Sequence, residues 1–178
     1  MIFKKLFIPE RQADGIWDID FQAEYDSGFR AVIFDIDNTL VPHDAPATKE
    51  TAEFFRELRE IGFMTCLISN NQESRVKPFA DEVDSLYLTD AEKPSRKSYR
   101  KAMKLLGTNL QNTLFVGDQL LTDVLGARRL GMHHIMVDPV DPESEPQHIR
   151  FKRVIERIML FGRKIKRVSK KDLKKTEE

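Results

Sequence analysis

The stretch "AVIFDIDNT" (31–39) sets four apolar side chains directly before two carboxylates, Asp35 and Asp37. A run that is apolar at every position, rather than at every second one, reads as a strand covered on both faces. That is the habit of a central strand in a parallel sheet flanked by helices. Such a strand has no reason to end in a pair of like charges unless something beyond the sheet compensates them. This one stretch therefore constrains both the architecture and the chemistry.

The pattern recurs. Short β-branched and aromatic runs at 29–36, 63–69, 85–89, 112–118 and 133–138 predict strands. Amphipathic segments at 47–61, 73–83, 95–106 and 120–130 predict helices between them. Gly62, Gly107 and Gly131 each follow one of these segments, where a left-handed cap is wanted, and Pro78 predicts a kink or split in the second. Strand and helix alternating four times give a three-layer α/β fold, a parallel sheet with helices on both faces. At 178 residues this is one domain with a real core. The first 28 residues read as peripheral and His133–His134 as the start of an edge strand. "DPVDPESEPQ" (138–147) reads as a linker closing a body of 1–147, followed by a basic amphipathic helix and flexible tail at 148–178.

Charge follows the same division. Residues 1–147 carry 17 Lys and Arg against 25 Asp and Glu, a balance of −8, while 148–178 carry 12 against 4, a balance of +8. An acidic body with a basic end suggests an anionic membrane, a nucleic acid or a protein as partner, or simply a solvated helix. In "HIRFKRVIERIMLFGRKIKR" (148–167), Ile149, Phe151, Ile155, Ile158, Met159 and Ile165 fall at near-helical spacing among basic residues. The favoured expectation is that 151–159 packs its apolar stripe on the sheet; the other is that it lies on an anionic surface. "MIFKKLFIP" at the start is similarly mixed. The single cysteine, Cys66, reads as a core side chain, excludes an internal disulfide and fits a reducing, cytoplasmic setting. No run is long and apolar enough to span a membrane, and no secretory leader is legible.

Ligands of open parallel sheets bind beyond the carboxyl ends of the strands. Reading those ends together collects Asp35, Asp37 and Thr39; Ser69, Asn70 and Asn71; Lys93; and Asp118 with Asp123. Oxygen ligands without His or Cys point to a hard cation, best Mg²⁺, held by Asp35 and Asp118 with Asp123 nearby. Lys93, Ser69 and the loop at Asn70 would meet the remaining oxygens of a phosphoryl group. His43 and Asp44 lie just after the first of these strand ends, within reach of a substrate, while the other histidines read as structural.

"DIDNT", "SNN", "KP" and "GDQLLTD", in that order on those strand ends, resemble the haloacid dehalogenase-like phosphohydrolases over residues 29–138. The resemblance implies a Rossmann-like core and a covalent mechanism. Asp35 would be the nucleophile and Asp37 the general acid and base, its backbone carbonyl also facing the metal. Ser69 and Lys93 would bind the phosphoryl group, and Asp118 would complete the Mg²⁺ site. The acid at Asp37 argues for phosphatase over dehalogenase chemistry. The intervals from Asp35 to Ser69 and from Ser69 to Lys93 are too short for the family's cap insertions, so the enzyme is expected to be capless, open to a phosphate on something large. "VIFDIDNTLVPHDAP", "LISNNQESRVKPFA" and "VGDQLLTDVLGARRLG" resemble the YqeG-type branch of subfamily IIIA, related to mitochondrial phosphatidylglycerophosphate phosphatases. That resemblance implies a lipid head group as substrate. A soluble phosphatase for nucleotides, sugar phosphates or phosphoproteins, and a non-catalytic module whose tail engages RNA, are the alternatives.

Overall fold

All five apolar runs form strands, and two further strands extend the sheet. The computed structural model describes residues 6–169; the expectations for the first five residues and for a flexible end at 170–178 fall outside them. In chain order the elements are β1 (Arg11–Ala13), a 3-10 turn (Ile16–Asp18), α1 (Phe21–Asp26), β2 (Ala31–Phe34), α2 (Lys49–Ile61), β3 (Met64–Ile68) and α3 (Glu73–Val83). There follow β4 (Leu86–Leu88), α4 (Arg96–Leu106), β5 (Thr113–Gly117), a π-helical turn (Leu120–Val124), α5 (Leu125–Leu130), β6 (His133–Val137), α6 (Gln147–Leu160) and β7 (Lys166–Arg167). The strands form one sheet in the order β4-β3-β2-β5-β6-β1-β7, every pair parallel.

β2 lies mid-sheet and its four residues are fully buried, because alternate side chains enter different cores. Val32 and Phe34 join Phe54, Phe55, Leu58 and Phe79 of α2 and α3 on one face. Ala31 and Ile33 meet Tyr99, Met103 and Leu106 of α4 on the other, with Cys66 among them. Burial pushes the Cys66 thiol up to about 12, as suits a packing residue. The helices begin and end where their caps dictate. The Thr48 side chain accepts from the Thr51 N–H, Ser95 caps α4, and Gly62 adopts a left-handed conformation at the end of α2. Pro78 does not split α3: it stands at the sixth of the helix's 11 positions and the helix runs on past it to Val83, without the one bond that the proline nitrogen cannot donate.

Three expectations are corrected. The opening segment is not peripheral from residue 11 on: β1 pairs with β6, and Ala13, Ile16, Ile19 and Phe21 are buried in the larger core. β6 is consequently interior rather than an edge. His134 is buried there, its Nε2 accepting from the Glu10 N–H at 3.0 Å and its Nδ1 facing the Met132 carbonyl at 3.0 Å. Nδ1 therefore carries the proton, and burial holds the neutral ring down to about 4. Finally, α6 does not pack an apolar stripe on the sheet. Phe151, Val154, Ile155 and Ile158 are exposed, and the buried residue of the helix is Glu156. Met159 and Leu160 touch only a small cluster of Leu120, Val124 and Met136. Among the described residues no helix is long and apolar enough to cross a membrane.

Candidate active site

The carboxyl ends of β2, β3 and β5, with the loop after β4, converge as parallel strands require. Asp35 follows β2, and its backbone N–H still donates to the Val116 carbonyl of β5 at 3.0 Å, so the carboxylate is fixed by the sheet itself. Asp118 follows β5. The π-helical turn then brings Asp123 back over Gly117; a Cβ at that glycine would lie 2.7 Å from the Asp123 Cγ, so only glycine fits. Asp35, Asp118 and Asp123 are buried and each offers a carboxylate oxygen within 4.8 Å of the others.

Two cations hold this trio. Lys93 Nζ donates to Asp35 Oδ1 at 2.5 Å and to Asp123 Oδ1 at 2.8 Å. Its position is set by Asn70, whose Oδ1 accepts from the Lys93 N–H at 2.7 Å, and the Lys93–Pro94 bond is cis. Arg153, from α6, donates through Nη1 to the Asp118 carbonyl at 2.9 Å and through Nη2 to the Asp118 carboxylate. It also grips Glu145, which accepts from the Asn38 amide at 2.7 Å, and lies 3.5 Å from Glu156. Thr39 Oγ1 bridges the halves, 3.1 Å from Asp118 Oδ1 and 3.4 Å from Asp35 Oδ2.

Burial drives the electrostatics. It raises the Asp35 carboxyl well above the carboxylate range, with Lys93 pulling the other way and Asp123 and Asp118 adding to the rise. It raises Asp118 to about 6 against the pull of Arg153. Lys93 and Arg153 are themselves held above their ordinary values, burial being outweighed by the surrounding acids. Five buried carboxylates (Asp35, Asp118, Asp123, Glu145 and Glu156) face these two cations. The deficit of positive charge and the all-oxygen donor set fit a hard divalent cation.

Asp37 stands apart from the trio. Its carboxylate accepts from Asn71 Nδ2 at 2.6 Å, Arg75 Nη2 at 3.0 Å and the Asp44 N–H at 3.0 Å. Its side chain thus belongs to the mouth of the site, and the metal contact expected of its backbone carbonyl rests on the resemblance alone. Ser69 Oγ accepts from the Asn71 N–H at 3.1 Å. Asp35, Asp37, His43, Ser69, Asn70, Asn71 and Lys93 line a cleft of about 330 Å³, closed on one side by His148, Ile149 and Lys152 of α6. A larger cavity, about 630 Å³, lies along α6 beside Met136 and Leu160 and holds neither Asp35 nor Lys93.

The residues singled out from sequence thus come together, and several others join them. Arg75 had a local signal, six positions beyond Ser69 in the first turn of a helix leaving the site. Arg153 and Glu156 had none. Glu145 lay in the stretch read as a linker, which is instead a strap on the loop after β2: the Val140 N–H donates to the Asn38 carbonyl at 3.0 Å and the Asp141 N–H to the Asn38 side chain at 3.0 Å.

The model of the haloacid dehalogenase-like hydrolases matches residues 43–131. A protein named "Probable phosphatase YqeG" from Bacillus subtilis (strain 168) is 37% identical over 166 residues, covering 93% of this chain and 96% of its own. The chain belongs to the haloacid dehalogenase-like hydrolases. It is a phosphatase of that family, similar to YqeG through almost its whole length. A chloroplastic/mitochondrial phosphatidylglycerophosphate phosphatase 1 of Arabidopsis thaliana is 24% identical over 169 residues, 88% of this chain but 48% of that protein. Among solved structures, the cobalt-bound deoxy-D-mannose-octulosonate 8-phosphate phosphatase of Haemophilus influenzae superposes with a TM-score of 0.51 at 12% identity, covering 78% of this chain and 90% of that one. This last likeness speaks for the fold.

Proposed function

We propose that the protein is a Mg²⁺-dependent phosphomonoesterase that works through an aspartyl-phosphate on Asp35 and takes a phosphate at the end of a lipid head group, best phosphatidylglycerophosphate. The carrying observation is the buried Asp35 carboxylate beside Lys93, with Asp118 and Asp123 oxygens within 4.8 Å. Asp35, Asp118 and Asp123 would hold or orient the ion; when bound it supplies the positive charge that keeps Asp35 ionised and screens the phosphoryl oxygens.

In this reading an Asp35 carboxylate oxygen attacks phosphorus in line and the bond to the leaving oxygen breaks, Asp37 donating that oxygen its proton. Asp37 then takes a proton from water, the water oxygen attacks phosphorus, and the aspartyl bond breaks to release inorganic phosphate. Lys93, Ser69 and the loop at Asn70 hold the phosphoryl oxygens throughout. Arg75 and Asn71 keep the Asp37 carboxylate aimed at the mouth, where the leaving group sits. Support for a large substrate comes from the chain itself: among the described residues no inserted domain covers the cleft, which is flanked by α6 and the loop at His43. Support for the head group comes from the Arabidopsis relative's name.

Phosphate release from phosphatidylglycerophosphate vesicles, with and without Mg²⁺, tests the reading. Asp35→Asn is expected to lower turnover by about 10⁴-fold or more. Unchanged turnover in that variant would overturn the mechanism. Strong turnover of a soluble sugar or nucleotide phosphate with none on the lipid would overturn the substrate.

A further inference from the structure

A helix that covers an active site is expected to bury its apolar side. α6 does the reverse. Arg153 and Glu156 point inward because the site they meet is a cluster of carboxylates and backbone donors: Arg153 grips Asp118, and Glu156 accepts from the Leu121 N–H at 3.0 Å. With the polar side committed inward, the rotation of the helix leaves Phe151, Val154, Ile155 and Ile158 outward, at spacings of three and four that make one continuous stripe. Phe151 is 68% and Ile158 69% exposed, and Phe161, just beyond the helix, is 88% exposed. Isolated exposed apolar residues need no explanation, but a contiguous stripe on one face does.

The flanks of that stripe are basic. At about 100° per residue, Arg150 and Arg157 fall on one side of it and Lys152 on the other. All three are exposed, and Lys152 also lines the catalytic cleft. We propose that this face of α6 is a docking surface for an anionic lipid bilayer, which seats the mouth of the site at the head-group level. An apolar centre with cationic flanks matches the acyl boundary below and the anionic head groups beside it. A second copy of the chain fits less well, since pairing the stripe with itself would bring Arg150, Lys152 and Arg157 against their own copies. The inference deepens the lipid-phosphate reading by naming the partner of that site, and rests on it only for what the seated site would do there.

The test is co-sedimentation of the full chain with phosphatidylcholine vesicles with and without phosphatidylglycerol, alongside Phe151→Ser with Ile158→Ser and, separately, Arg150→Gln with Arg157→Gln. These positions are exposed and outside the catalytic machinery, so turnover of a soluble phosphomonoester serves as the control for folding. The intact chain is expected to bind the anionic vesicles preferentially. The apolar pair should lose about tenfold or more in partition, the arginine pair should lose the preference for anionic lipid, and both should keep soluble turnover. Equal partition of intact and apolar-pair chains, or no vesicle binding at all, would overturn the proposal. So would a concentration-dependent dimer abolished by the apolar pair, which would assign the face to a second copy. Vesicle binding without phosphatase activity on any substrate would sink the enzymatic reading while leaving the docking surface intact.

Discussion

The two cations of the site make an instructive pair. Lys93 and Arg153 both neutralise buried acids at the mouth of the sheet, yet they arrive by different routes. Lys93 stands on the loop directly after β4, held by Asn70 from the neighbouring strand end, so strand order alone delivers it to Asp35 and Asp123. Arg153 comes from α6, beyond the strap at 138–147, and its position depends on Glu145 and Asp118 accepting it. The first cation belongs to the strand ends at which we propose that a phosphoryl group binds. The second belongs to a helix whose other face looks away from the molecule. One is delivered by the sheet and the other ties the acidic cluster to a surface helix.

Replacing each cation by methionine sharpens that contrast. Lys93→Met should have the larger effect: phosphate release falls by about 10²–10³-fold even at saturating Mg²⁺, because no other described side chain reaches both Asp35 and Asp123. It should also cost about 3–5 kcal/mol in urea unfolding, the penalty of stranding buried acids. Retention of near-normal turnover would remove Lys93 from the phosphoryl site. Arg153→Met should cost a similar amount of stability in the same measurement, about 3 kcal/mol, but much less turnover. Its half-saturating Mg²⁺ concentration should fall, because the guanidinium no longer competes for the Asp118 carboxylate. A rise instead would make Arg153 the holder of Asp118 and erase the distinction between the two cations.

A smaller effect separates them by pH. Burial lifts Asp118 from 3.8 to about 6, so between those values the folded chain binds its proton more tightly than the unfolded chain does. The Asp118 contribution to metal-free stability therefore declines as pH rises through that window. Mg²⁺ requires the ionised carboxylate, so the gain in melting temperature on adding Mg²⁺ should be larger above pH 7 than near pH 5. An equal gain at both would place the ion elsewhere.

What the sequence disclosed and what it hid follow the same line. β2, β3, β5 and β6 were legible because strands buried on both faces carry uninterrupted apolar runs, and the residues just past them had to converge. Asp35, Asp118, Asp123 and Lys93 followed from that. β1 and β7 were not legible: three and two residues long, with arginines, lysine and glutamine, they carry no strand pattern. α6 misled for a physical reason. Its amphipathic period was read correctly, but which side turns inward depends on what it meets. Facing carboxylates and orphan N–H groups rather than a sheet, it buried Arg153 and Glu156 and left its phenylalanine and isoleucines outside. Glu145 escaped notice because a proline-rich acidic stretch looks solvated until Asn38 is seen to bind it.

The placement of β1 carries a last consequence. Arg11 pairs with Ile135 of β6, 124 positions further along the chain. At the pace of ribosomal synthesis, about 5–20 residues per second, the opening segment waits roughly 6–25 s for its neighbour to be made. During that interval Phe21 can already pack on Phe34, Phe54 and Phe63, but β1, whose neighbours in the sheet are β6 and β7, has no strand beside it, so the segment Arg11–Ala13 is left in need of shelter.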